Sequence, residues 1–178
     1  MLFRSLTSGV VVVVTDINYS YAALKNDGTV ITWGYTDGAF TLSSSVNLNN
    51  VVSVFTNNFA YAALKLDGSV VTWGYSSNGG NSTGKGLSTA KVVSIVNTTY
   101  AFAALTSTGT VITWGDSTYG GDSSSVSASL TNVVAIYSNN YAFAALRNTG
   151  QVITWGSASF GGNSSAVTND ISANVVAV

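Results

Sequence analysis

FAALTSTGTVITWG, residues 102–115, decides the fold, because it is one of four near-copies. YAALKNDGTVITWG occupies 21–34, YAALKLDGSVVTWG 61–74 and FAALRNTGQVITWG 143–156, which puts tryptophans at 33, 73, 114 and 155. A spacing of 40, 41 and 41 residues marks a repeat array whose unit is one supersecondary element. Such an element cannot cover its own apolar faces, so neighbouring copies must stack.

Around that stretch the grammar is that of short strands. In residues 92–132 a β-branched run from Val92 to Val96 stops at Asn97-Thr98-Thr99. A second strand from Tyr100 to Leu105 and a third from Thr110 to Trp114 follow, separated by Ser107-Thr108-Gly109. The remainder reads as loop, with room for a short fourth strand around Val126. The turn between second and third strands always ends in glycine, at Gly28, Gly68, Gly109 and Gly150, as a tight hairpin needing positive φ requires. Side chains alternate along a strand, so Phe102 and Ala104 share a face with Tyr100, opposite Ala101, Ala103 and Leu105. Both faces are apolar, and each small sheet must be covered on both sides.

The expectation is an all-β repeat protein of four antiparallel three- to four-stranded sheets, stacked radially as a β-propeller-like array. The ring would be partial or completed by a second chain; an open β-solenoid is the alternative. The units run over about 11–50, 51–91, 92–132 and 133–174, with 175–178 opening a fifth. Trp33, Trp73, Trp114 and Trp155 are assigned to packing between units. So is a second aromatic column at Tyr19, Phe59, Tyr100 and Tyr141, for which binding of a sugar or an extended peptide is the rival reading.

Composition excludes several functions. Of 178 residues 46% are hydrophobic but only 7% charged, against about 25% charged in an ordinary soluble domain. The six cations, Arg4, Lys25, Lys65, Lys85, Lys91 and Arg147, are scattered, and no basic run could neutralise a row of phosphates. Nucleic acid is therefore not an expected partner. The apolar run Val10 to Val14 is too short for a signal core or a membrane span, and it aligns with Val51-Val52, Val92-Val93 and Val133-Val134. The chain has no Cys, His, Pro or Glu, which removes most acid–base and metal-ligating side chains. Asp27 and Asp67 fit turn roles, while Asp116 and Asp122 flank one loop of one unit, too few oxygens for a calcium site. No enzyme activity, cofactor or metal is expected. The Ser/Thr/Asn-rich, charge-poor surface suggests a secreted or cell-surface protein.

The pattern V-V-x-[IV]…[YF]-A-A-L-x-x-[DTN]-G-x-[VI]-x-T-W-G…G-G, repeated from about Val11 to Val178, resembles the repeat of the regulator of chromosome condensation family. The resemblance implies β-propeller blades, short like those of the bacterial β-lactamase-inhibitor protein of that superfamily. The family's Gly and His before the second strand are replaced here by Asn58-Phe59, Thr99-Tyr100 and Asn140-Tyr141. Its G-Q-L-G ending becomes Gly79-Gly80-Asn81, Gly120-Gly121-Asp122 and Gly161-Gly162-Asn163, with Gly38-Ala39-Phe40 in the first copy. The nucleotide-exchange activity of the founding member does not carry over, because nothing outside the repeat matches.

Function is then expected on loops presented by a rigid array. The candidates are Lys25 and Asp27, Lys65 and Asp67 at hairpin tips, and Tyr75, Asp116, Tyr119 and Asp122 after the third strands. The leading expectation is a scaffold that binds a protein partner. A self-assembling extracellular structural protein is the second, in which residues 175–178 supply a surplus strand for a ring or head-to-tail filament. A glycan-binding module using exposed Tyr35, Tyr75, Tyr119 and Phe160 is the third.

Overall fold

In the computed structural model, which describes residues 9–16, 19–34 and 48–178, the chain forms four successive three-stranded antiparallel sheets. They comprise β1 (Val10–Thr15), β2 (Ser20–Lys25) and β3 (Val30–Gly34), then β4 (Val51–Thr56), β5 (Ala60–Lys65) and β6 (Val70–Gly74). β7 (Val92–Asn97), β8 (Ala101–Thr106) and β9 (Val111–Gly115) form the third sheet, and β10 (Val133–Ser138), β11 (Ala142–Arg147) and β12 (Val152–Gly156) the fourth. Each sheet is a meander with its second strand in the middle. Every first strand carries a register shift at its second residue, between Val92 and Ser94 for example. That bulge turns Val11, Val52, Val93 and Val134 outward, and of the paired valines Val51, Val92 and Val133 enter the core.

The sheets stack face to face, and the core lies between them. The Ala22–Leu24 face of β2 meets Val51, Val54, Tyr61 and Trp73 of the second sheet. Ala60, Ala62 and Leu64 of β5 meet Val92, Ile95, Phe102 and Trp114 of the third. Ala101, Ala103 and Leu105 of β8 meet Val133, Ile136, Phe143 and Trp155 of the fourth. Alanines let the middle strand approach closely, and the large rings all come from the following unit.

Hairpin glycines fix the start of each next unit. Gly109 has φ +76°, and a Cβ there would stand 3.2 Å from the Asn132 Cα. Its carbonyl accepts the Val133 N–H at 2.9 Å, as Gly28 accepts from Val51 and Gly68 from Val92.

Two sequence expectations need correction. The fourth strand around Val126 does not form: Ser124–Ser129 is a 3₁₀ turn, with Val126 N–H bonded to Ser123 O and Leu130 N–H to Ser127 O. A serine run satisfies its backbone locally, and burying Val126 and Leu130 on the core needs no strand. Tyr100 is not the first residue of the second strand, which starts at Ala101; it lies in the preceding turn and leaves the face it was assigned to.

Candidate functional site

Two sets of aromatic rings emerge from this stacking. Within each sheet the register puts one ring of the middle strand opposite the tryptophan, Phe102 against Trp114 and Phe143 against Trp155. These pairs stack at 5.2 Å between centroids, and Trp114 is 1% exposed. Each indole N–H then crosses to the preceding unit: Trp114 donates to Gly79 O and Trp155 to Gly120 O, both at 3.1 Å. The Gly-Gly pairs follow from this contact. A Cβ on Gly79 would lie 2.7 Å from the Phe102 ring, and one on Gly80 2.1 Å from Gly74 O. Among the described residues Trp73 Nε1 has no acceptor; the corresponding glycine, Gly38, lies outside them.

The second set lies at the end of the sheets where first strands turn into second strands. Asn57, Thr98 and Asn139 organise this turn. Asn57 Oδ1 accepts the N–H groups of Phe59 and Ala60 at 2.8 Å, and its Nδ2 donates to Asn78 O in the loop after β6. Asn139 makes the same three bonds to Tyr141, Ala142 and Phe160. Thr98 Oγ1 accepts from Ala101 N and donates to Tyr119 O. In the first unit Asp16 accepts from Ser20 N and Oγ, and the Tyr61 hydroxyl reaches across to Ser20 Oγ at 3.0 Å. Burial raises the pKa of that tyrosine. Successive turns are also joined by backbone bonds, Asn58 N–H to Thr99 O and Thr99 N–H to Asn140 O.

Locking the turns to the loops after the third strands lines up six rings. Tyr75 meets Phe59 at 6.0 Å, Phe59 stacks on Tyr100 at 5.3 Å, and Tyr100 meets Tyr119 edge-on at 4.5 Å. Tyr119 continues to Tyr141 at 5.7 Å, and Tyr141 to Phe160 at 4.5 Å. Tyr75 and Phe160 are exposed and the four rings between them half-buried. The result is a continuous aromatic rim running across three units.

The sequence candidates separate. Tyr75, Asp116 and Tyr119 lie at the rim end, whereas Lys25, Asp27, Lys65 and Asp67 lie at hairpin tips on the opposite end of the sheets, since the strands are antiparallel. Asp122 stands apart from both, on the segment that returns along β9 beside the Thr113–Ser123 bond. Tyr119 is half-buried rather than exposed, and Tyr35 lies outside the described residues.

The carboxylates serve their own turns. Asp27 accepts from Thr29 N and Oγ1 and from Lys25 Nζ, which together hold its pKa down at about 2. Ser69 lowers Asp67 in the same way, and Ser124 lowers Asp122. Asp116 accepts from Thr118 N at 2.8 Å. Among the described residues no group of three or more acidic, His or Cys side chains could hold a metal, and no helix is long and apolar enough to cross a membrane. Sequence reading missed the Asp16, Asn57, Thr98, Asn139 column; its signal is a side-chain oxygen always three or four residues before the second strand.

No family model matches this chain, and no curated protein does. Solved structures do. The ectodomain of the Physcomitrella patens receptor kinase CR4 is 19% identical with a TM-score of 0.55, over 83% of this chain and 39% of that one. Human WBSCR16 is 21% identical with a TM-score of 0.54, over 85% and 48%. Yeast RCC1 (Prp20), solved bound to Kap60, is 15% identical with a TM-score of 0.56, over 83% and 43%. The fold is that of a propeller-type repeat protein, and the chain spans less than half the length of these structures.

Proposed function

We propose that the chain is a non-enzymatic scaffold that binds a protein partner along the aromatic rim. The observation that carries this reading is the unbroken run from Tyr75 to Phe160, aromatic surface held rigid by capped turns and left accessible. Tyr and Phe are enriched at protein interfaces because they bring large area at small entropic cost. The hairpin tips are less suited: Asp27 is engaged by Lys25 and Asp67 by Ser69 within their own turns. Membership of the regulator of chromosome condensation family is part of the proposal, supported by the repeat pattern and the likeness to yeast RCC1, which binds Kap60. A secreted or cell-surface location is the companion proposal, supported by the charge-poor composition and by likeness to two plant receptor ectodomains.

The test is partner capture by proximity labelling and mass spectrometry with three forms of the chain. Tyr119→Ser with Tyr141→Ser should lose the partner that wild type captures, while Lys65→Ala with Asp67→Asn should keep it. Loss with the tip variant alone would move the site to the opposite end. Selective binding on a glycan array, abolished by the rim variant, would replace a protein ligand with a sugar.

A further inference from the structure

The junctions between units describe a contact with two different faces. One is the A-x-A-x-L face of a middle strand with the Gly carbonyl beside it. The other carries a first-strand aliphatic residue and the stacked aromatic pair of the next unit. The first sheet presents the second kind of face with no described unit before it. Val13 is 46% exposed where its counterpart Val54 is 8%, and Tyr21 is 39% exposed where Tyr61 is 1%. Tyr21 and Trp33 nevertheless stack at 5.3 Å with planes 8° apart, so the pair is formed before anything covers it.

The fourth sheet presents the first kind of face. Tyr137, Asn139, Ala142, Phe143, Ala144 and Gly161 border a cavity of about 310 Å³. Ala144 is half-buried, whereas its counterparts Ala62 and Ala103 are fully buried. At Gly120 a Cβ would stand 2.6 Å from the neighbouring Phe143 ring; at Gly161 the nearest atom is Asn139 Nδ2 at 3.4 Å. Gly161 keeps the backbone of its counterparts, φ +101° beside +105° and +94°. The seat that takes a ring at Gly79 and Gly120 is thus shaped at Gly161 and opens into the cavity.

We propose that this face of the fourth unit receives the Tyr21–Trp33 face of a second copy of the chain, in the geometry of the internal junctions. Trp33 Nε1 would donate to Gly161 O, the Tyr21 ring would lie over Gly161, and Val13 would meet Ala144. The occupant follows from residue type and register: the incoming face carries what fills this seat inside the chain, and its one charged strand residue, Lys25, is paired with Asp27 at the hairpin tip. Residues 175–178 stand where the incoming β1 would lie. Val175 N–H bonds Gly150 O as Val133 N–H bonds Gly109 O, and Val178 borders the cavity. The incoming β1, already paired with β2, would lie there as β10 lies beyond Gly109. Because the two faces differ, the contact is heterologous and gives the assembly a direction. It is independent of the rim.

Sedimentation velocity on the whole chain tests this with one variant on each face, Tyr21→Arg and Ala144→Arg. Wild type should associate as concentration rises, each variant alone should be monomeric, and an equimolar mixture should form a dimer and stop there. Only a heterologous contact gives that last result, since the mixture holds one intact face of each kind. A monomeric wild type, association surviving in either variant, or a monomeric mixture would overturn the proposal. If either variant loses its near-ultraviolet circular dichroism, Val13→Lys and Tyr137→Lys probe the same faces. Tyr100→Ser, which touches only the rim, should associate like wild type, so a failed rim reading and a failed junction are told apart.

Discussion

Two aromatic columns run through this chain at one period, and a difference of backbone position gives them opposite environments. Trp114 and Trp155 sit inside third strands, face the preceding sheet, and are sealed with a hydrogen bond from each indole. Phe59, Tyr100 and Tyr141 sit immediately before their second strands, where the turn caps swing them to the surface. Period alone therefore does not say whether a column is core or surface. What decides is whether the residue lies inside the paired strand or in the turn that feeds it.

The largest effect expected from breaking this contrast is in the buried column. Trp114→Ala should cost about 3–5 kcal/mol in chemical denaturation, through lost packing and a cavity. Gly79 O loses its donor as well. A smaller effect isolates the glycine seat. Gly120 and Gly84 both have positive φ, +94° and +80°, so alanine at either adds backbone strain of about 1–3 kcal/mol. Only at Gly120 does the new Cβ meet a ring, while Gly84 has nothing within 4 Å. Gly120→Ala should therefore melt well below Gly84→Ala; equal melting would remove the ring seat from the account.

The smallest effect concerns acid. Asp27, Asp67 and Asp122 have folded pKa values below the ordinary 3.8, Asp27 at about 2. Their contribution is complete above 3.8 and is lost as pH falls through the folded values. The melting temperature should stay level from neutral pH to about pH 5 and decline slightly below 3.8. The three groups are exposed turn residues, and the chain has no histidine to add a step near pH 6.

Much of the fold was legible because its determinants recur as letters. The aromatic of the middle strand, the hairpin glycine and the tryptophan keep fixed spacing, and strand register follows from them. The 3₁₀ turn at Ser124–Ser129 was not legible, since a serine run with one valine fits a strand as well as a turn. Tyr100 was misplaced by one step because an aromatic beside Ala101 reads as strand by propensity. The rim itself was hidden for two reasons. Its capping column uses Asp, Asn and Thr interchangeably, so it does not look like a repeat. Its rings come from two columns that interleave only when the loop after each third strand folds back to the turn, as the Asn57–Asn78 and Asn139–Phe160 bonds hold it. The turn roles read for Asp27 and Asp67 were legible because each sits beside its hairpin glycine, and both accept hydrogen bonds within their own turns.

One column holds the array together and the other is presented by it. Urea unfolding of Trp114→Ala beside Tyr100→Ser tests it most directly, because both rings occupy the same unit. The first should lose about 3–5 kcal/mol, and the second should stay within about 1 kcal/mol of wild type. Comparable losses in the two variants would contradict it, making the rim a second core.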